Sequence, residues 1–224
     1  MRRIDAVIFD MDGLLLDSER LAMDALVSAG TALGYDIPPA FCHLMIGAPA
    51  DRCRELVTER YGADFPLERY FATQEEHLRA LVAAGRLALK RGVGELLDAL
   101  DRHRIPRAIA TSSSRARTDH HLALVSIAAR FDHIVTRDDV PRGKPNPDPF
   151  LKAASLLGVA PEGCLVLEDS FNGIRAAHAA AMRVVMVPDL LDPTEEMRGL
   201  AHRIVDSLHD VIGLIEESRH AAAA

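Results

Sequence analysis

Five short apolar runs, most of them separated by segments of helical period, constrain the fold of this chain more than any other feature. They are Ala6–Phe9, Arg107–Ala110, His133–Val135, 164–167 and 184–187. Short, often β-branched runs of this kind read as strands. Strands that alternate with helices build a parallel sheet covered by helices. About a hundred residues pass between the first and second runs, with helical periods at 21–33, 52–61 and 67–87 but no convincing strand. That stretch reads as an all-helical insertion over 17–89, punctuated by helix-to-helix turns at 34–39, 47–49 and 62–66. The expected architecture is α/β: a doubly wound parallel-sheet core from 1–16 and 90–224, with a helical domain inserted at 17–89.

Composition excludes several classes. A hydrophobic content of 49% over 224 residues is ample for a core. The net charge of −7 is spread without long acidic or basic blocks, and aromatics are 4% with no Trp, so a nucleic acid polymer is not the expected partner. Cys42, Cys53 and Cys164 are odd in number and lack CxxC or Cys/His ligand spacing, which speaks against disulfides and zinc and fits a reducing cytoplasm. Arg2 and Arg3 precede only a short apolar run that ends at Asp10, and no window approaches the ~18 apolar residues of a membrane span.

In open α/β sheets, ligands collect beyond the carboxyl ends of the strands, so the residues after each apolar run are where chemistry is expected. After the first run, VIFDMDG places Asp10 and Asp12; after the second come Thr111, Ser112, Ser113 and Ser114; after the fourth, Glu168 and Asp169. Gly143 and Lys144 precede a helical segment beginning near Pro147, and Lys144 is one of only three lysines, with Lys90 and Lys152. Carboxylates converging in one crevice repel one another unless a hard cation neutralises them, and Mg²⁺ combines one or two carboxylates with carbonyls, waters and substrate phosphate. The set therefore predicts Mg²⁺ and a phosphate. Under that screening an Asp carboxylate can attack phosphorus and form an aspartyl phosphate. Two Asp residues two apart in an extended strand end can face the same side, one as nucleophile and one near the leaving oxygen. Gly13 lets the backbone turn away at once.

The segments DMDGLLLDS, IATS, GKPNPDPF and LVLEDSFNG, in that order and over essentially the whole chain, resemble the four motifs of the haloacid dehalogenase superfamily. The likeness is to its phosphatase and β-phosphoglucomutase-like branch, with a Rossmann-like core and a helical cap inserted after the first strand. The resemblance implies Asp10 as nucleophile, Asp12 as general acid and then base, and Thr111, Ser112 and Lys144 as phosphate-binding residues. It implies Mg²⁺ held by Asp10, the backbone carbonyl of Asp12, and Asp169, with Glu168 direct or through water. The implied enzyme is a cytoplasmic Mg-dependent phosphomonoester hydrolase, a monomer or weak homodimer. Its substrate would be a small phosphorylated metabolite of the sugar phosphate or nucleoside/pseudouridine 5'-phosphate type. The cap would close over the crevice, with residues in 14–21 and 46–52 lining it. Arg91 departs from the family, many members of which have Pro before Gly92.

Plainer roles compete for some of these residues. Thr111 to Ser114 can cap the helix that follows, which is compatible with phosphate binding, and Asp169 or Ser170 can cap the next. His120, His121, His178 and His209 read as surface histidines. A phosphorelay receiver, a binding module rather than an enzyme, uses similar parts but places its acidic pair and acceptor on the strands in a different order. A phosphonate-cleaving relative needs a cap lysine, and 17–89 contains none. The serious alternative is a β-phosphoglucomutase-like sugar phosphomutase. At the positions that would carry its cap histidine, lysine and arginine, this chain has Ala22, Ile46 and Ala50.

Overall fold

In a computed structural model, residues 3–46 and 50–220 are described, with Ala50 and His220 as backbone only. The turn expected at 47–49, the Ala50 side chain and the terminal 221–224 lie outside the described residues. The chain divides into two compact units, Met1–Leu16 with Leu89–Ala224 and Asp17–Ala88. The outgoing and returning connections pair with each other. Leu16 bridges Leu89, and the Asp17 N–H donates to the Ala88 carbonyl at 3.0 Å.

The strands are β1 (Ala6–Phe9), β2 (Arg107–Ala110), β3 (His133–Val135), β4 (Cys164–Glu168), β5 (Arg183–Met186) and β6 (Arg203–Ile204). The helices longer than one 3₁₀ turn are α1 (Ser18–Ala32), α2 (Pro39–Cys42), α3 (Ala50–Tyr61), α4 (Leu67–Ala83), α5 (Val93–His103), α6 (Arg115–Leu124), α7 (Asp148–Leu157), α8 (Phe171–Ala179), α9 (Glu195–Leu200) and α10 (Leu208–His220). Among the described residues, six parallel strands form one sheet in the order β3-β2-β1-β4-β5-β6. The order reverses direction at β1, so the crevice beyond the carboxyl ends of β1 and β4 is the topological switch point.

Both faces of the sheet are covered, which explains why the strands read as continuous apolar runs. Ile8, Ala108, Val166 and Val184 face one core, where Phe150 of α7 and Ile174 of α8 join them. The residues of opposite parity, Val7, Phe9, Ile109, Leu165, Leu167 and Val185, are also fully buried. The four- and five-residue strands fall within one residue of their sequence-level positions. β6 escapes sequence reading because two residues at a sheet edge carry no periodicity.

The helical unit solves a different problem, since four helices in about seventy residues have little volume from which to make a core. Six of the chain's ten aromatic residues are concentrated there: Tyr35, Phe41, Tyr61, Phe65, Tyr70 and Phe71. Phe65 lies 4.6 Å from Tyr35, 5.3 Å from Tyr61 and 5.3 Å from Tyr70, centroid to centroid. Large rings bury much area per residue, and the buried hydroxyl of Tyr70 is satisfied by the Leu26 carbonyl at 3.1 Å. Phe65→Ala empties the middle of this cluster and should cost ~3 to 5 kcal/mol. Urea unfolding of the purified variant measures it, and a loss below about 1 kcal/mol would show that the ring cluster is not the unit's core.

Candidate active site

The candidate site is built wholly within the α/β unit, at the carboxyl ends of β1, β2 and β4. The Asp10 N–H continues the ladder past β1 by donating to the Leu167 carbonyl at 3.0 Å, which holds the Asp10 side chain beside the end of β4. Met11 is fully buried between the two Asp residues, and Gly13, at φ 84°, makes the turn that returns the chain to Leu16. Thr111 follows β2, is buried, and donates its N–H to the Val135 carbonyl at 2.9 Å. Ser112 is exposed on the same loop. Lys144 reaches in from the segment before α7.

The Lys144 ammonium is the centre of the arrangement. Nζ donates to Asp10 Oδ1 at 2.5 Å and to Glu168 Oε1 at 2.6 Å, and it lies 4.8 Å from the centroid of the Phe150 ring. Its side chain is 3% exposed, that of Asp10 10% and that of Glu168 0%. Burial draws the ammonium toward its neutral form, but Asp10 and Glu168 outweigh it and hold the lysine charged, above its ordinary range. Burial likewise pushes the Asp10 carboxyl up, against the pull of Lys144 and with Glu168 adding to the rise, to about 8. One ammonium facing two carboxylates leaves the site short of positive charge.

A third carboxylate increases that deficit. Oxygens of Asp10, Glu168 and Asp169, all buried, lie within 4.8 Å of one another. An all-oxygen, all-carboxylate donor set suits a hard divalent cation and not zinc or copper. Glu168 is held in place by its second oxygen, which accepts the Ser170 N–H at 2.8 Å and the Ser170 hydroxyl at 3.0 Å. Gly173 is part of the same fit, because a Cβ there would lie 1.6 Å from Glu168 Oε1.

Asp12 stands apart from this carboxylate cluster. Its Oδ2 accepts the Ser113 hydroxyl at 2.7 Å, and Arg117 Nη2 lies 3.5 Å from its Oδ1. Ser113 is itself anchored, its N–H donating to Thr111 Oγ1 at 3.0 Å. The capping roles fall to the neighbouring serines: Ser114 caps α6 by accepting from the Arg117 N–H, and Ser170 caps α8 by accepting from the Gly173 N–H. Neither helix has an acidic residue in its own first turn, but carboxylates from elsewhere meet both starts: Asp138 accepts the Arg115 N–H of α6 at 2.8 Å, and Glu168 accepts the N–H of Ser170, the cap of α8, at 2.8 Å.

Asp10, Glu168, Asp169 and Lys144 are thus brought together as the strand-end reading requires, with Asp12 and Thr111 on adjoining loops. Arg117 was not foreseen, although two arginines in the first turn of α6 with no acidic residue beside them could have drawn attention to it. One expectation is corrected: His121 is not a surface residue but 5% exposed, on the inward face of α6 with Thr118 and Leu122 at helical spacing. Among the described residues no helix is long and apolar enough to cross a membrane.

The family model described as haloacid dehalogenase-like hydrolase matches residues 7–187. A probable pseudouridine-5'-phosphatase of Drosophila melanogaster is 36% identical over 198 residues, covering 84% of each chain. A phosphorylated carbohydrates phosphatase of Thermotoga maritima is 30% identical over 213 residues, covering 95% of this chain and 91% of the relative. Among solved structures, a HAD family hydrolase from Deinococcus radiodurans with bound phosphate and sodium superimposes with a TM-score of 0.82 at 27% identity, covering 98% of both chains. Matched over most of its length by the family model and covered nearly end to end by relatives of at least 30% identity, the chain belongs to the haloacid dehalogenase-like hydrolases.

Proposed function

We propose that this enzyme, a phosphatase, is a Mg²⁺-dependent phosphomonoester hydrolase that works through an aspartyl phosphate on Asp10. Its substrate is a small phosphorylated metabolite of the sugar phosphate or nucleoside/pseudouridine 5'-phosphate type. The observation that carries the reading is the buried Asp10 carboxylate, oriented by Lys144 within a cluster of carboxylates at the switch point of the sheet. The names of the fly and Thermotoga relatives support the substrate class.

In the first half-reaction an Asp10 oxygen attacks phosphorus, the bond from phosphorus to the leaving oxygen breaks, and Asp12 gives that oxygen a proton. In the second half Asp12 takes a proton from water, the water oxygen bonds to phosphorus, and the Asp10–phosphorus bond breaks. Lys144 and the Thr111 loop hold the phosphoryl oxygens while this happens, Lys144 as a point charge and Thr111 with Ser112 through hydrogen bonds. Asp10, Glu168, Asp169 and the Asp12 carbonyl would hold Mg²⁺, which supplies the positive charge that lets an anionic nucleophile approach an anionic phosphate. In this reading the α/β unit carries the chemistry and residues 17–88 serve as the cap that selects the substrate.

The mutase alternative needs cations aimed at a second phosphate. Ala22 and Ile46 have no such groups, and the arginines nearest in sequence have carboxylate partners of their own: Arg20 with Asp17, Arg52 with Glu55 and Glu59, Arg54 with Glu68 and the face of Phe71. A charge-assisted contact contributes about 1.5 to 3 kcal/mol, so a site lacking two of them holds a bisphosphorylated intermediate orders of magnitude more weakly. Water is then the better acceptor.

Asp10→Asn should abolish turnover of p-nitrophenyl phosphate while the fold persists, and near-normal turnover would remove the nucleophile assignment. With chelator present the same variant should melt above wild type. The folded-state pKa of Asp10 exceeds its unfolded value, so its ionisation disfavours the fold as pH rises from about 4 toward about 8, and the melting gap should widen over that range.

Asp12→Ala should slow turnover at least ~10²-fold, the lower bound for a general acid–base group, and a variant keeping most activity refutes that role. β-Glucose 1-phosphate, if turned over, should release glucose and inorganic phosphate; product analysis with glucose 6-phosphate dominant would establish the mutase instead.

A further inference from the structure

We propose that Arg117, together with Ser113, is a positioning residue for Asp12, setting the orientation in which that carboxyl group serves the leaving oxygen. The proposal rests on the phosphatase reading above but concerns residues to which neither the family motifs nor that reading gives a task.

Three observations converge on it. Each Asp12 carboxylate oxygen meets a different donor, Oδ2 the Ser113 hydroxyl at 2.7 Å and Oδ1 the Arg117 guanidinium at 3.5 Å. Two contacts, one on each oxygen, restrict rotation about the carboxyl axis in a way that one contact does not. The second observation is where Arg117 sits. The first turn of α6 carries Arg115 and Arg117 with no acidic residue of its own, whereas α1, α3 and α4 set an acidic residue (Glu19, Asp51, Glu68) beside the arginine at the same position (Arg20, Arg52, Arg69).

Arg115 is accounted for by Asp139 at 2.7 Å and the Ile134 carbonyl at 2.9 Å. Asp12 is the carboxylate that accounts for Arg117. The third observation is the link to phosphate binding, since Ser113 is anchored on Thr111 Oγ1 and the loop that grips the phosphoryl group also aims the acid.

The chemistry predicts a signature that a merely structural residue would lack. An alkoxide leaves poorly without a proton, whereas nitrophenolate is a stable anion and hardly needs one. Misplacing a reacting group by about an ångström can cost ~10²-fold. Arg117→Gln and Ser113→Ala should therefore lower kcat/KM for an alkyl monoester such as 2-glycerol phosphate by about 10- to 10²-fold and for p-nitrophenyl phosphate by less than about 3-fold. Arg117→Lys and Ser113→Thr should recover part of the alkyl activity, and Arg117→Gln should melt no lower than wild type because it removes a cation from the helix start.

In the Asp12→Ala background, Arg117→Gln should cause no further loss. Equal losses on both esters, a raised KM with kcat retained, no loss on either, or a further loss without Asp12 would each overturn the proposal. A wild-type enzyme that hydrolyses neither ester would remove the phosphatase reading itself, and the proposal with it.

Discussion

A single buried ammonium holds the active end of this molecule together. Lys144 lies between Asp10 and Glu168, and all three side chains are nearly removed from water. Without the lysine, two carboxylates would share a dry pocket, a state proteins avoid by protonation or by unfolding. With it, one positive charge faces three buried carboxylates, Asp169 included. The imbalance that remains suits the site to bind a divalent cation and then an anion.

The supporting structure can be understood from that requirement. Glu168 is pinned by Ser170 on one oxygen and Lys144 on the other, and α8 starts close enough to it that only glycine fits at position 173. Phe150 of α7 closes the apolar side of the ammonium and is also a fully buried member of the sheet core. Packing and electrostatics therefore share side chains, which makes the placement of Lys144 insensitive to surface solvent.

The two units rely on different means of stabilisation. The α/β unit buries aliphatic strands on both faces, and aromatics are sparse there. The helical unit contains no strand of the sheet among its described residues and concentrates most of the chain's rings in one cluster. Several of its long cationic side chains are occupied locally, Arg52 and Arg54 by neighbouring glutamates and Arg60 over the Phe41 and Tyr61 rings. A composition averaged over the chain, with aromatics at 4%, conceals this partition.

Local pattern alone was enough to place the five longer strands, the helical insertion and the carboxylates at the strand ends, because strand period, helix period and the polarity change at a strand mouth are all properties of neighbours in sequence. It also singled out Lys144, a rare lysine beside a helix start. What it could not supply were meetings across the chain: Lys144 with Asp10 over 134 positions, and Arg117 with Asp12 over 105. The inward turn of His121, the gathering of six rings into one cluster and the edge strand β6 were likewise decided by tertiary structure. Spacing determines which side chains share a face, but which face meets which depends on how the sheet orders its strands, and that order is set by burial summed over the whole chain.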